Sequence, residues 1–428
     1  MSAAPIAERH FICVAYADPI LCGHATEARN LCAAAIAAGW RSAQILTYPE
    51  SAFAGSGVAL KPAAGIAPYA DGVQVHRPAP MGDYKVLDGR YTHGMSAALI
   101  DLCAGLRGEV LILGLSLLPH AQLVQAALPS IRRINPGLAV VSACKAVGSD
   151  VTNVLRNAAV SGSCGAARLL LDGYLAHDLV LAVSAFAKQQ MIDAAAQLDA
   201  ATGGNDAPEL QRRVAVSLPA LDADAYLRLD KAPRRLAACL AARGLLANGY
   251  VLFLSRIAAP KGVDDLIAAY GESRCRGRWP LVIYGRGPQA AELEAAHADD
   301  PDVRFITDIQ DAEKAALMRG ARIFAFPSKP TPEFIETFGI VVVEKALAGG
   351  DGPIVCTDVG GIREASGGHR LHHRPGDRAS LRAALDTAAT MSLADRRALN
   401  ARARAHALYC ERARVFAALT AGGPRNRG

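Results

Sequence analysis

The chain has 428 residues, and its 46 lysines and arginines against 40 aspartates and glutamates give a net charge of +6. This length is sufficient for two domains that each bury a full-sized core. A small positive excess, without a long basic block over most of the chain, gives no indication of nucleic-acid binding. The ten cysteines include no Cys-x-x-Cys pair, and several lie in apolar runs, which indicates buried, reduced thiols and argues against a zinc site.

The sequence gives no indication of secretion or membrane insertion. The chain enters the apolar segment FICVAY without a basic region followed by a long apolar region. No uncharged apolar run is long enough to span a bilayer. We therefore expect a cytoplasmic protein that is not an integral membrane protein.

Short apolar segments alternate with helical patterns along the whole chain. The first series consists of FICVAY (11–16), SAQILTY (42–48), EVLILGLS (109–116), LAVVSACK (138–145) and LVLAVSA (179–185). The second series consists of YVLFLSR (250–256), PLVIYGR (280–286), DVRFITD (302–308), ARIFAFPS (321–328) and PIVCTD (353–358). Such alternation predicts parallel strands covered on both faces by helices. The fold class is therefore α/β, with two Rossmann-like, doubly wound domains in tandem.

The joint between the domains is expected in VAVSLPALDADAYLRLDKAP (214–233), where a strand-like run gives way to a proline and a charged segment. We assign 1–225 to the N-terminal domain and 226–400 to the C-terminal domain. The remaining residues, 401–428, are expected to form a C-terminal helix that packs back on the first domain, followed by a tail.

Two aspartates in this joint, Asp222 and Asp224, form an Asp-x-Asp pair. Such a pair is a candidate for binding a metal-bound diphosphate. A hard cation requires more oxygen ligands than these two carboxylates supply. We therefore predict that no metal site lies here.

The stretch from 49 to 95 is rich in proline and glycine and includes HRPAPMGDYKVLDGRYTHG. A loop of that length in a compact domain is usually functional or disordered. We predict a substrate-contacting loop in the acceptor domain. Its candidate contacts for a small polar acceptor are Tyr84, Lys85, Asp88, Arg90 and Tyr91.

The segment ETFGIVVVE (336–344) combines two glutamates with a Phe-Gly turn. The apolar residues around Glu344 predict a largely buried helix that begins just after Gly339. A buried carboxylate is costly unless it is paired, and the first amides of a helix are free to face an anion. The alternative is an ordinary helix start, with Glu336 near the helix dipole and Glu344 on the surface beside Lys345.

The other strands of the second domain end in polar or glycine-rich turns. Arg256 ends the first strand, and Lys261 lies five residues further on. Gly285 and Gly287 flank a turn in which a backbone can approach a flat ligand closely. Ligands of open α/β sheets lie beyond the carboxyl ends of the strands, so two cations, two carboxylates and free helix N-termini at one edge favour a ligand with phosphates and hydroxyls. A nucleotide sugar is such a ligand, although each feature alone also fits an ordinary connection or surface ion pair.

The second domain resembles that of family 4 glycosyltransferases, which are retaining enzymes of the GT-B fold. The resemblance lies in SRIAAPKG, IYGRGP, VRFITD, the Glu-x7-Glu pair and GGIRE, in that order over roughly 250–370. It implies two domains that face each other across a cleft, and a UDP-sugar or GDP-sugar donor. It is weaker in the first domain, where the strand, the glycine loop and the following helix fit the same family.

The resemblance also implies roles for individual residues. Arg256 and Lys261 would grip the donor diphosphate, and Glu344 would hold the ribose. Glu336 would contact the transferred sugar. Further donor contacts are implied for the glycine turns and for backbone amides: Gly23, Gly285, Gly287, Phe338, Gly339 and Ile340.

Several positions depart from the family pattern. Arg286 stands where an acidic residue is common, Thr307 where glycine is frequent, and KPTPEFI is an addition before Glu336. The strand LAVVSACK ends in Cys144 and Lys145, where the family often has a histidine. The acceptor-side residue must therefore come from elsewhere.

Three residues that follow first-domain strands are candidates for the acceptor-side role: His120, Asp150 and His24. For a single histidine or aspartate the ordinary alternative is a hydrogen-bond partner or a helix cap. Ser149 and Asp150 together form a good helix N-terminus. Both interpretations stay open at this point.

The mechanism that the resemblance implies is retention without a metal or cofactor. The acceptor attacks from the face that the diphosphate leaves, and the phosphate accepts its proton. Charge developing on the leaving diphosphate would be stabilised by preorganised cations and amides. The acceptor is expected to be a small metabolite, with a role in sugar or natural-product biosynthesis.

Three alternatives use the same phosphate-binding edge. A GT-B phosphorylase and a nucleotide-sugar epimerase are alternative enzymes. A protein that binds the nucleotide sugar without catalysis is an alternative of another class. A dehydrogenase is disfavoured, since no strand is followed by a full Gly-x-Gly-x-x-Gly with an acidic residue about 20 positions on.

Overall fold

The structure is a computed structural model that describes residues 8–18, 23–54, 56, 60–61, 63–82, 87–148, 150–308 and 310–421. The chain forms two compact units. The first unit contains Met1–Val58, Pro68–Ala220 and Arg412–Gly428, and the second contains Ala59–Ala67 and Leu221–Glu411.

The first unit is built on a parallel sheet, with seven strands among the described residues. They are β1 (Arg9–Val14), β2 (Ser42–Leu46), β3 (Val73–His76), β4 (Glu109–Leu115), β5 (Ala139–Ala146), β6 (Leu179–Ala182) and β7 (Ala215–Val216). Their order in the sheet is β3-β2-β1-β4-β5-β6-β7. The helices are α1 (Gly23–Ala37), α2 (Leu87–Ala104), α3 (Gln122–Ile134), α4 (Arg156–Val160), α5 (Cys164–Leu175), α6 (Ala185–Thr202) and α7 (Asp206–Arg213).

The second unit repeats this architecture with six strands in its described part. They are β8 (Val251–Leu254), β9 (Leu281–Tyr284), β10 (Val303–Ile306), β11 (Ile323–Phe326), β12 (Ile354–Cys356) and β13 (Leu371–His372), in the order β10-β9-β8-β11-β12-β13. Its helices are α8 (Ala223–Leu227), α9 (Pro233–Ala242), α10 (Val263–Gly271), α11 (Ala290–Ala296), α12 (Asp311–Gly320), α13 (Ile340–Ala348), α14 (Ile362–Ser366), α15 (Arg378–Thr390) and α16 (Leu393–Ala407).

Both sheets have the doubly wound strand order in which the first strand lies at the centre. Every residue of β8, β9 and β11 is buried, which is why these strands are continuous apolar runs rather than alternating ones. The predicted α/β class with two parallel-sheet domains is confirmed, and all ten predicted strands are present.

The last helix, α17 (Arg412–Ala421), belongs to the first unit and lies against α1. Phe416 packs edge-on against Phe11 and Trp40, with ring centroids 5.3 and 5.2 Å apart. Edge-to-face aromatic pairs of this kind add to the energy of burial. The chain therefore returns to the first unit after the second is complete.

The stretch 49–95 contains more regular structure than the predicted long loop. It contains short 3₁₀ turns at Glu50–Phe53 and Ala63–Gly65, strand β3 and the start of α2. The side chains of β3 are half-buried or exposed, as expected at a sheet edge, so this strand lacks an apolar pattern. Two glycines within α2 masked its helical pattern. Tyr84 and Lys85 lie outside the described residues.

Candidate functional site

Helix α13 begins where the glutamate segment predicted it. Gly339 precedes it with φ 89°, a left-handed conformation that favours glycine. No side chain caps the helix, and within the described part of the chain the amides of Phe338, Gly339 and Ile340 donate no hydrogen bond. These amides are therefore available to an anion.

Glu344 lies on α13 and is only 4% exposed. Its Oε1 accepts a hydrogen bond from the Tyr226 hydroxyl at 2.8 Å and one from Lys314 Nζ at 2.8 Å. The buried carboxylate is thus paired, as its cost in free energy requires. The alternative that placed Glu344 on the surface beside Lys345 is wrong, since Lys345 is buried as well.

The second glutamate of the segment, Glu336, forms an ion pair with Lys261. Lys261 is 7% exposed and ends a short 3₁₀ turn before α10. Its Nζ lies 4.6 Å from the ring centroid of Phe334 and 5.4 Å from that of Phe326, positions in which the ring quadrupole attracts a cation. Lys261, predicted to bind the donor diphosphate, and Glu336, predicted to contact the transferred sugar, are therefore in contact with each other.

Arg256 lies two residues after the end of β8 and is exposed. It forms no ion pair or hydrogen bond with any residue that the structure describes. Its guanidinium therefore differs from the ammonium group of Lys261, which is buried and paired with Glu336. The surface ion pair considered for Arg256 is not formed within the described residues.

The glycines of the turn with Gly285 and Gly287 lie close to backbone atoms of this chain. A Cβ on Gly285 would overlap the carbonyl oxygen of Ser255, and one on Gly287 would overlap that of Ile257. The Ile257 amide also donates to the Arg286 carbonyl at 2.8 Å. The close backbone approach is to the chain segment that carries Arg256, so these glycines position that segment.

The turn GGIRE has the same function toward the glutamate loop. Side chains at Gly360 and Gly361 would overlap the carbonyl oxygens of Glu336 and Thr337. The Gly361 amide donates to the Glu336 carbonyl at 2.9 Å. Loops that follow neighbouring strands are therefore in backbone contact with each other. These contacts position the backbone that carries the polar side chains at this edge.

In the first unit, Gly23 is the first residue of α1, and residues 19–22 before it lie outside the described residues. The next residue, His24, lies beside Gly148 in the loop after β5. Burial, and then the charge of Lys145, lower the pKa of His24 to about 4. His24 is therefore a neutral imidazole at neutral pH.

His120 follows β4 and is fully buried. Its Nδ1 donates to the carbonyl oxygen of Leu115 at 2.8 Å and lies 3.1 Å from Ser116 Oγ, while its ring lies 4.7 Å from that of Tyr16. Burial lowers the pKa of His120 to about 4. The structure gives this candidate for the acceptor side no exposed face.

Asp150 is also buried, and its carboxylate holds two loops together. It accepts hydrogen bonds from the amide of Leu117, after β4, and from those of Gly148 and Val151, both at 3.1 Å. Burial raises the pKa of Asp150, and these amide hydrogen bonds oppose that shift. Through these hydrogen bonds Asp150 holds the loops that follow β4 and β5 together. Ser149, predicted to cap a helix with it, lies outside the described residues.

Lys145 occupies the strand end where a histidine was expected from the resemblance. It is buried and forms an ion pair with Glu27 of α1. Its Nζ also donates to the Leu218 carbonyl at 3.0 Å. The neighbouring Cys144 thiol contacts the Ser116 carbonyl oxygen at 3.5 Å. Both residues belong to the core of the first unit.

The residues that sequence reasoning missed are Tyr226 and Lys314. Tyr226 lies in the segment interpreted as a charged joint, and Lys314 lies in an ordinary amphipathic helix. No motif distinguishes either residue, because their function depends on which carboxylate they meet in three dimensions. Asp222, in the same joint, caps α8 by accepting a hydrogen bond from the Ala225 amide at 3.2 Å.

Three absences hold for the part of the chain that the structure describes. No group of three or more histidine, cysteine or acidic residues is arranged to hold a metal ion. None of the nine described cysteines is in a disulfide. No described helix combines the length and apolar character needed to cross a membrane.

Comparison with known proteins identifies the second half of the chain. Residues 248–390 match the family model of the glycosyl transferases group 1. This segment is therefore similar to the glycosyl transferases of group 1. It contains both glutamates, Arg256, Lys261 and the glycine turns, so the resemblance to family 4 glycosyltransferases is confirmed.

Two curated relatives match part of the chain. The phosphatidyl-myo-inositol mannosyltransferase of Mycobacterium leprae (strain TN) is 35% identical over 139 residues, 32% of this chain and 36% of the relative. The protein of the same name from Mycolicibacterium smegmatis (strain ATCC 700084 / mc(2)155) is 34% identical over 128 residues, 28% and 31% of the two chains. The match spans about a third of the length of these relatives.

Solved structures match the whole chain in fold. HepE of Anabaena in complex with UDP and glucose has a TM-score of 0.65 at 17% identity, covering 96% of this chain and 98% of that one. Sucrose-phosphate synthase of Thermosynechococcus elongatus has a TM-score of 0.66 at 15% identity, covering 97% of both chains. The α,α-trehalose-phosphate synthase (UDP-forming) of Burkholderia xenovorans has a TM-score of 0.68 at 13% identity, covering 97% and 99%. The fold is therefore GT-B.

Proposed function

We propose that the protein is a retaining glycosyltransferase that moves a sugar from a UDP-sugar or GDP-sugar to a small polar acceptor. The observation that carries this proposal is the helix start between the two glutamates, where uncapped amides lie between Glu336, paired with Lys261, and the buried Glu344. The arrangement lies in the segment that matches the family model of the glycosyl transferases group 1. Amides and cations suit a diphosphate, and carboxylates suit sugar hydroxyls.

The curated relatives match this chain over only about a third of their own length. The identities of the donor and the acceptor are therefore part of the proposal. The relatives are named for mannosyl transfer to phosphatidyl-myo-inositol, and HepE was solved with UDP and glucose. Those properties belong to those proteins. They support a nucleotide-sugar donor here. Independently of these relatives, we propose that the acceptor is a small metabolite of sugar or natural-product biosynthesis.

The chemical step requires stabilisation of the charge that develops on the leaving diphosphate. Arg256 and Lys261 supply positive charge, and the amides of Phe338 to Ile340 supply hydrogen-bond donors. Preorganised donors of this kind are typically worth about a hundredfold to a thousandfold each in rate. We propose that these groups neutralise the diphosphate without a metal ion.

Donor binding also changes the partner of Lys261. The ion pair with Glu336 compensates its charge in this structure. We propose that the diphosphate replaces Glu336 as the partner of Lys261, and that the released carboxylate accepts hydrogen bonds from the transferred sugar. The rings of Phe326 and Phe334 keep the ammonium group in place during this exchange.

On the acceptor side, we propose that the reaction needs no dedicated base. His120 and Asp150 are fastened in the first unit by backbone groups, and neither presents an exposed base. In the retaining scheme proposed here, the acceptor attacks from the face that the diphosphate leaves, and the leaving phosphate accepts the proton of the acceptor. A dedicated base is therefore not required by this scheme, and the two residues support the loops that follow β4 and β5.

The test is calorimetric titration of the chelator-treated protein with UDP and with GDP, repeated on Lys261→Ala and Glu344→Ala. We expect saturable binding of one nucleotide, weakened by both substitutions. Binding of neither nucleotide, or binding that both variants retain unchanged, would refute the proposed donor site. The nucleotide that binds also identifies the base of the donor.

Turnover then separates the enzyme from its alternatives. Incubation with the matching nucleotide sugars should release nucleoside diphosphate, and more when an acceptor is present. Sugar phosphate formed from an added glycoside and inorganic phosphate would indicate a phosphorylase, and an epimerised nucleotide sugar would indicate an epimerase. Binding without any of these products would indicate a non-catalytic protein.

A further inference from the structure

The carboxylate of Glu344 is held from one side only. Tyr226 and Lys314 both donate to its Oε1, each at 2.8 Å. Its Oε2 accepts no hydrogen bond from any residue in the described ranges. The three side chains come from three different helices, α8, α12 and α13, so the orientation of the carboxylate is a property of their packing.

The two donors differ in exposure and in chemistry. Tyr226 is buried, and burial together with the neighbouring Glu344 raises the pKa of its phenol well above the ordinary value. The phenol therefore stays protonated and remains a donor. Lys314 is about one quarter exposed and supplies the positive charge that compensates the carboxylate. One oxygen of Glu344 is thus fully occupied while the other is left to accept.

We propose that Tyr226 and Lys314 are positioning residues for nucleotide recognition: they hold Oε1 of Glu344 and thereby aim Oε2 at a ribose hydroxyl of the donor. This inference rests on the proposed function, because it assigns a nucleoside diphosphate to the site. It adds two residues that act through Glu344 rather than by touching the ligand.

The physical consequence is selectivity for ribose over deoxyribose. A buried carboxylate oxygen that is positioned to accept a hydrogen bond from a ribose hydroxyl is left without that hydrogen bond when the analogue lacks the hydroxyl. A hydrogen bond to a charged group corresponds to about a tenfold to hundredfold difference in affinity. If Tyr226 or Lys314 is removed, the carboxylate can turn to other partners and this difference shrinks.

The experiment measures the affinities of the nucleoside diphosphate and of its 2′-deoxy and 3′-deoxy forms for the full-length protein. The base is the one identified by the UDP and GDP titrations. For the wild type we expect about tenfold or greater preference for the ribonucleotide over at least one deoxy form. In Tyr226→Phe and Lys314→Met the preference should fall to within about threefold, whereas Lys314→Arg, which keeps a charged donor, should retain most of it.

Matched controls separate this effect from general loss of stability. Tyr270→Phe removes a buried phenol of the same unit that donates to the Trp279 carbonyl at 3.0 Å. Lys188→Met removes a lysine that donates to two backbone carbonyls in the first unit. Both controls should keep the wild-type preference for ribose.

Three outcomes are decisive. Loss of the preference in the two test variants, with the controls unaffected, supports the inference. Equal weakening of all three nucleotides, with the preference intact in both test variants, would overturn it, and so would a wild type that binds ribose and deoxyribose forms equally. A wild type that binds no nucleoside diphosphate would overturn the proposed function and, with it, this inference.

Discussion

Each unit places a lysine-glutamate pair near the carboxyl ends of its strands, and the two pairs have different surroundings. Lys145 and Glu27 in the first unit are each 1% exposed, and Lys145 also donates to a backbone carbonyl. In the second unit the side chains of Lys261 and Glu336 are 9% and 12% exposed, and they lie next to uncapped amides and two aromatic rings. The first pair is sealed in the core, whereas the second borders free hydrogen-bond donors.

This difference indicates which buried charges are structural and which can exchange partners. A sealed pair contributes to the fold only as long as both partners are present, because removal of one leaves the other uncompensated. When a pair lies at a helix start with free amides, an anionic ligand can bind there and replace the glutamate as the partner of the lysine. The predictions below test whether the two pairs behave in these two ways.

The largest expected effect is on stability, from Lys145→Ala. It leaves the Glu27 carboxylate buried without its partner, which costs about 3–5 kcal/mol of unfolding free energy. Urea denaturation of the variant and of the double variant Lys145→Met/Glu27→Leu checks this, because removing both charges should recover most of the loss. A variant as stable as wild type would show that the pair is not sealed.

A second effect, of about 2.7–4 kcal/mol in the activation free energy, is expected from Lys261→Ala. It removes a cation from the leaving diphosphate and should lower kcat/KM about a hundredfold to a thousandfold. The measurement is steady-state release of nucleoside diphosphate, with Lys188→Ala as the control. The unfolding free energy should fall less than in Lys145→Ala, and the reverse ranking would contradict the comparison.

A third lysine, Lys345 on α13, gives a pH-dependent prediction. It is buried, its Nζ donates to the Gly349 carbonyl at 2.6 Å, and burial, followed by the charge of Arg319, lowers its pKa to about 7. Arg404 also lowers this pKa, and Asp351 raises it. Because the ordinary pKa is 10.5, the unfolded chain holds an extra proton between about pH 7 and 10.5.

Stability in that window therefore rises with pH, by up to about 1.4 kcal/mol per pH unit from this residue. Lys345→Met lacks this contribution, so the unfolding free energy of the wild type should rise relative to that of the variant by roughly 2 kcal/mol between pH 7 and pH 9. Urea titrations of both proteins at the two pH values measure this. A constant difference would mean that the lysine stays charged in the fold.

The smallest effect is expected at the joint that precedes α8. Asp222→Ala removes the cap of α8 and should cost about 1 kcal/mol. Asp224→Ala, at an exposed neighbouring position, should change the unfolding free energy much less. If both variants lose activity that a divalent cation modulates, the pair acts as a metal ligand after all and the cap is incidental.

The strands and the α13 helix were predictable because their signals are local. Apolar runs such as VLFL and LVIY predict buried parallel strands, and Gly339, which lies between the two glutamates and just before an apolar run, predicts a helix start. The edge strand β3 was missed because half-buried edge strands carry no apolar run. The glycine turns were located correctly, but their close neighbours proved to be backbone carbonyls of this chain.

By itself, the sequence determined the fold class, the buried strands of the two cores and the positions of the glutamates, cations and glycines, because each depends on the order of residues along one segment. Tertiary structure alone decided which charges meet. Lys261 pairs with Glu336 across 75 residues and Lys145 with Glu27 across 118, while Tyr226 reaches Glu344 across 118. Such pairings follow from how helices from distant segments pack, since a carboxylate is bound by whatever donor the fold brings within about 3 Å.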